Sequence, residues 1–95
     1  MEYWKVHWLH DFEVEPVTLL SEIGEDGYEV RKIQQYRDGR LLKADSHHET
    51  AEIGLSEIPV GQIENVAAQP EFSAFVISRD EFEDVWSRAH FSGKQ

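Results

Sequence analysis

The sequence predicts an α+β fold: an antiparallel four-stranded meander sheet with a short helix and a C-terminal amphipathic helix packed on one face. Two Asp-Gly turns, Asp26-Gly27 and Asp38-Gly39, sit between β-rich runs and mark successive hairpins. A capping box, Ser78-Arg79-Asp80-Glu81, opens an apolar stripe of helical period. A chain of 95 residues fits one such unit, so residues 1–95 are read as a single domain with the sheet over about 2–45.

Residues 3–9 read as the first strand. Trp4, Val6 and Trp8 share one face at period two, with Lys5 and His7 on the other. Residues 10–13 form a polar loop. Pro16 then begins a second strand over 17–23, where its missing N–H is tolerated. Residues 24–27 are the first turn, 28–36 the third strand, 37–40 the second turn, and 41–44 open the fourth strand. The stretch 45–52 has no period and reads as an exposed loop, and 53–60 holds a short extended segment.

Gly61 is expected to cap a short helix over about 61–68, with Glu64 at its third position and Ile63, Val66 and Ala67 on one face. Gln69-Pro70 stops it. Residues 72–77 fit a loop or a strand equally. The final helix covers about 79–90, with Phe82, Val85, Trp86 and Ala89 inward and Asp80, Glu81, Glu83 and Asp84 at its positive end. Ser-Gly after Phe91 ends it. Trp4, Trp8 and Trp86 all fall on inner faces and are read as core rather than as a binding platform.

Composition narrows the function classes. The chain has no cysteine, which excludes disulfides, thiolate nucleophiles and Cys-based zinc or iron–sulfur sites. Residues 1–5 lack a basic region leading into an apolar run, and no apolar run is long enough to span a bilayer. A cytoplasmic protein without membrane attachment is expected. Nineteen acids against nine bases give a net charge of −10, which opposes binding to a nucleic-acid backbone and suits a basic protein partner.

That charge is patterned. Residues 1–30 hold eight acids and one base, and 44–78 hold six acids and no base. Between them Arg31, Lys32, Arg37, Arg40 and Lys43 face a lone Asp38. Part of this basic hairpin is expected to be consumed by cross-strand pairing of Arg31 and Lys32 with Glu22 or Glu29.

There is no glycine-rich phosphate loop, no Gly-x-Ser-x-Gly and no His-Glu-x-x-His, so no catalytic residue and no cofactor are assigned. His10-Asp11 is the one pair that could act as base and orienter in a small enzyme or ligand-binding domain. His47, His48, Glu49 and Glu52 bring four ligand-type side chains together, but without cysteine, and with loop sites drawing ligands from elsewhere, no metal is expected. The docking residues are instead expected among exposed loop acids, Asp11, Glu13, Glu25, Asp26, Glu49 and Glu52, with His10 and His47 as polar contacts.

Tyr3-x-Lys5-Val6-x-Trp8-Leu9-His10-Asp11-Phe12, with Glu15-Pro16-Val17, Ser21-Glu22-Ile23, Glu29-Val30-Arg31-Lys32 and Arg37-Asp38-Gly39-Arg40, resembles a family of small bacterial domains of unknown function. Ile58-Pro59-Val60, Pro70-Glu71-Phe72 and residues 77–83 extend the likeness over nearly the whole chain. It departs at Leu42-Lys43-Ala44, where the family continues into Gly-Tyr-Ala. Stand-alone copies look like immunity proteins of polymorphic toxin systems. The resemblance therefore implies a cytoplasmic inhibitor, monomeric when free, that binds one cognate toxin domain such as a nuclease or an ADP-ribosyltransferase.

Overall fold

A computed structural model describes residues 1–50, 53–56 and 58–91. The elements are β1 (Glu2–Trp8), β2 (Thr18–Ile23), β3 (Glu29–Gln35), β4 (Leu41–Asp45), α1 (Ile63–Ala67), β5 (Phe72–Ile77), α2 (Arg79–Arg88) and β6 (His90–Phe91).

Both Asp-Gly turns are built alike. Each aspartate accepts the backbone N–H two residues on, Tyr28 N to Asp26 Oδ1 at 3.1 Å and Arg40 N to Asp38 Oδ1 at 3.0 Å. Gly27 and Gly39 take φ of 86° and 92°, which glycine adopts without steric cost. These turns set β2 against β3 and β3 against β4, both antiparallel, with Leu20 opposite Ile33 and Ile33 opposite Lys43. β1 pairs antiparallel with β2 from Glu2↔Ile23 to His7↔Thr18.

The sheet is larger than a four-stranded antiparallel meander. It has six strands in the order β5-β1-β2-β3-β4-β6 and is mixed. β5 pairs antiparallel with the outer side of β1, and β6 runs parallel to β4 through Leu42↔His90 and Lys43↔Phe91. Both additions join segments distant in sequence, which local periodicity does not encode. They cover the two edges that a meander alone would leave open.

Register neighbours share a face, so Tyr3, Leu20 and Ile33 point to the side on which α2 lies. With Phe82 and Ala89 they form the core cluster, and Leu41, Ile77, Val85 and Trp86 pack around it. The opposite face buries Trp4, Val6, Ile23 and Ala44. Residues 53–56 and 58–60 form no strand. They cover this second face, tied by Ser56 N to Glu29 Oε1 (2.7 Å), Lys32 Nζ to Gly54 O (3.5 Å) and Val60 N to Gly27 O (2.9 Å). Ile53 is buried with them. Being covered on both faces, β2 buries five of its six residues.

Ser78 caps α2 by accepting the Glu81 N–H at 3.1 Å. The reciprocal half of the box is replaced: the Glu81 carboxylate meets Lys5 Nζ at 3.4 Å. The helix stops at Arg88, short of the expected 90, because Ala89 turns extended (ψ 162°) and delivers His90 and Phe91 to β4. The expected Ser-Gly stop lies outside the described residues. α1 is also shorter than expected. Its N-cap is Gln62, without a side-chain cap, and Gly61 precedes it at φ 80°.

Candidate functional site

The segment joining β1 to β2 is an ordered loop. Trp8 N bonds Val17 O at 2.8 Å and Leu9 N bonds Glu71 O at 2.7 Å, so the loop leaves from between β2 and β5. His10 organises it. Its Nδ1 accepts the Phe12 N–H at 2.9 Å, which places the ring proton on Nε2, and Nε2 donates to Pro16 O at 2.8 Å. The ring packs on Trp8 (4.1 Å between centroids) and on Phe12 (5.2 Å). From the next hairpin Arg37 donates to His10 O at 2.6 Å and Phe12 O at 3.3 Å.

With its backbone secured this way, the loop turns its side chains outward. Leu9, Phe12 and Val14 are 62%, 59% and 80% exposed, and Asp11, Glu13 and Glu15 are exposed beside them. Apolar and acidic groups thus alternate along an exposed loop. A cleft of about 510 Å³ at its base is lined by His7, Trp8, His10, Asp11, Thr18 and Arg37. The base–orienter pair expected of His10-Asp11 is not assembled. Both imidazole nitrogens are held by backbone groups, and among the described residues no bond joins His10 to Asp11. The histidine holds the loop in shape.

The other expected site residues lie elsewhere. Glu25 and Asp26 form the β2–β3 turn, where the Asp26 carboxylate is bonded to Tyr28 N. The His47 N–H bonds Asp45 Oδ1 at 2.9 Å just after β4, and Glu49 Oε2 accepts Leu55 N at 2.7 Å. Glu52 lies outside the described residues. The pairings Glu2↔Ile23 and Arg31↔Asp45 place this group at the far end of the sheet from His10, Asp11 and Glu13. At about 3.3 Å per residue, the seven residues of β1 separate the two groups by roughly 20 Å. They do not form one patch. Among the described residues no group of three or more His, Asp and Glu side chains is placed to hold a metal.

The basic hairpin is occupied from within. Arg31 bonds Glu22 (Nε to Oε1, 2.6 Å) across the strands and Glu83 of α2 (Nη2 to Oε2, 2.6 Å), and its guanidinium lies over Phe82 and Trp86 at 4.9 and 4.7 Å. Lys43 donates to Trp86 O at 3.1 Å and sits over the Trp86 and Phe91 rings. Lys32 reaches Gly54 O rather than Glu29, which accepts Ser21 Oγ and Ser56 N instead. Arg40 pairs with Asp38 at 3.2 Å over the Tyr36 ring. Burial pushes the Glu22 carboxyl up, but hydrogen bonds from Arg31 and Tyr3 outweigh it and hold the group below its ordinary value. The Arg31 bond likewise holds Glu83 down, and burial followed by the Glu22 contact pushes the Tyr3 hydroxyl up.

Sequence reasoning missed Leu9, Phe12, Val14 and Arg37. A visible signal was the apolar–acid alternation over 11–15, unusual for a loop. Residues 2–91 match the family described as a domain of unknown function (DUF6881), and the chain belongs to that family. No curated protein and no solved structure matches it.

Proposed function

We propose that this member of the family is an immunity protein: a cytoplasmic binding module, monomeric when free, that docks on a cognate toxin domain and blocks a basic active site. The observation that carries the reading is the loop over 9–15, which displays three exposed apolar side chains interleaved with Asp11, Glu13 and Glu15. Arg37 is bonded to the loop's own backbone carbonyls, and among the described residues no salt bridge joins Asp11, Glu13 or Glu15 to a base, so those carboxylates face solvent unpaired. They steer a basic partner into encounter, and Leu9, Phe12 and Val14 supply the area that water leaves. His10 and Arg37 fix the loop beforehand, which lowers the ordering cost of association. A nuclease or an ADP-ribosyltransferase, each needing cations around an anionic substrate, has the complementary charge. An enzyme built on His10-Asp11 is the weaker reading, since the ring nitrogens already serve the backbone.

The test is co-expression of the neighbouring reading frame in a sensitive host, with and without this chain. The unaltered protein restores growth, and the Asp11→Lys, Glu13→Lys, Glu15→Lys triple variant does not at equal folded level. Growth arrest that the unaltered protein leaves untouched overturns the immunity reading. Full rescue by the triple variant moves the docking surface away from this loop.

A further inference from the structure

We infer that β5 is a recognition edge, to which an extended, Lys- or Arg-bearing segment of the partner adds as a seventh strand. The inference rests on the binding reading above for the partner's basic character. β5 ends the strand order, so its outer side meets no other strand of the sheet. The ladder fixes which groups face out. Leu9 N bonds Glu71 O while Trp8 N bonds Val17 O, so odd residues of β1 bond β5 and even residues bond β2. The register His7↔Ser73, Lys5↔Phe75 and Tyr3↔Ile77 then turns Ser73, Phe75 and Ile77 inward. The N–H and C=O groups of Ala74 and Val76 point away from the sheet.

Edge strands are ordinarily blunted by a charge, a proline, a bulge or shortness. β6, the opposite edge, is two residues long. β5 has no charge, proline or bulge and is not short: Phe-Ser-Ala-Phe-Val-Ile is six residues long and pairs with β1 without a register shift. Although α1 packs against this strand, Phe75 and Val76 in its C-terminal half stay exposed. Phe75 and Val76, on opposite faces, are 50% and 60% exposed, so an added strand finds an apolar contact on each side. Backbone bonds would supply affinity and these two side chains selectivity.

Charge decides the occupant. Exposed Glu64, Glu71 and Asp80 bracket the strand, Arg79 is turned toward Glu83 at 3.8 Å, and Lys5 is taken by Glu81. A second copy would bring the same acids together, and each chain carries −10. A foreign segment with alternating apolar and basic residues meets complementary charge instead.

The probe is a synthetic peptide, Lys-Val-Lys-Val-Lys-Val-Lys, added to the full chain and read by residue-resolved amide exchange. Exchange at Ala74 and Val76 slows ~10-fold or more while Ser73 and Phe75 are unchanged, because their amides already bond β1. A Glu-for-Lys peptide has no effect. Ala74→Pro, which removes an outward N–H but no bond to β1, abolishes the slowing. Unchanged exchange at both amides with the lysine peptide overturns the inference, as does slowing that follows protein concentration alone, the signature of a second copy. Growth rescue separates the two ideas. If Val76→Lys rescues as fully as the unaltered chain, the edge proposal falls and the immunity reading stands. If the unaltered chain does not rescue but the peptide still protects Ala74 and Val76, the reverse holds.

Discussion

Replacing Arg31 with methionine tests the junction between sheet and helix. The substitution keeps most of the side-chain length and leaves Glu22, only 6% exposed, without its cation. Two routes bound the cost. If Glu22 stays ionised, an unpaired buried carboxylate costs about 3–5 kcal/mol. If it takes a proton, moving a group of ordinary value 4.5 to the neutral form at pH 7 costs about 3 kcal/mol at 1.36 per unit. The cheaper route sets the electrostatic loss at about 3 kcal/mol, and losing the cation over Phe82 and Trp86 adds roughly 1 kcal/mol. Urea unfolding followed by tryptophan fluorescence should therefore show a loss of about 4 kcal/mol at pH 7, shrinking toward roughly 1 kcal/mol at pH 4.5, where protonation is nearly free. In the unaltered chain the sign is opposite: a depressed carboxyl contributes stability above its unfolded value and loses it as pH falls through the folded one. Glu22→Gln combined with Arg31→Met should cost less than the sum of the single changes. A loss below about 1 kcal/mol at pH 7, or an equal loss at both pH values, would mean that Arg31 does not hold a buried Glu22 carboxylate in its charged form.

Ser78→Ala should cost about 1 kcal/mol in the same assay by removing the α2 cap. Glu29→Ala frees Ser21 and Ser56, and should cost about 1–2 kcal/mol while amide exchange speeds up over 53–56. Because the Tyr3 hydroxyl is raised above 10.0 when folded, the unfolded chain ionises first and stability should fall as pH rises past that value; Tyr3→Phe should flatten this limb in an alkaline titration. Arg37→Ala should cost under about 1 kcal/mol yet accelerate exchange of the Phe12 amide, since it loosens the loop rather than the core.

Local chemistry made much of the fold legible. Asp26-Gly27 and Asp38-Gly39 act through residues one or two apart, and Ser78 acts three residues before Glu81, so short windows contain the whole interaction. β5 was ambiguous because Phe72–Ile77 has no alternation, and burial along the strand shows none either. β6 depends on a parallel partner some 48 residues earlier, Leu42 for His90. The cross-strand pairing of Arg31 with Glu22 was legible from the hairpin, but its extension from Arg31 to Glu83 of α2 joins residues 52 apart in sequence. Of the residues expected to make contacts, Asp11 and Glu13 lie on the candidate loop, whereas Glu25, Asp26, His47 and Glu49 sit at the other end of the sheet. Acidity alone marks candidates without saying which end of a sheet each turn occupies.

The most direct measurement is the association rate of this chain with the purified product of the neighbouring reading frame, taken across salt concentrations. The rate should fall steeply between about 50 and 500 mM salt. The Asp11→Lys, Glu13→Lys, Glu15→Lys variant should associate at least ~10-fold more slowly at low salt, where steering is strongest. An association rate indifferent to both salt and charge reversal contradicts steering of the partner by these carboxylates.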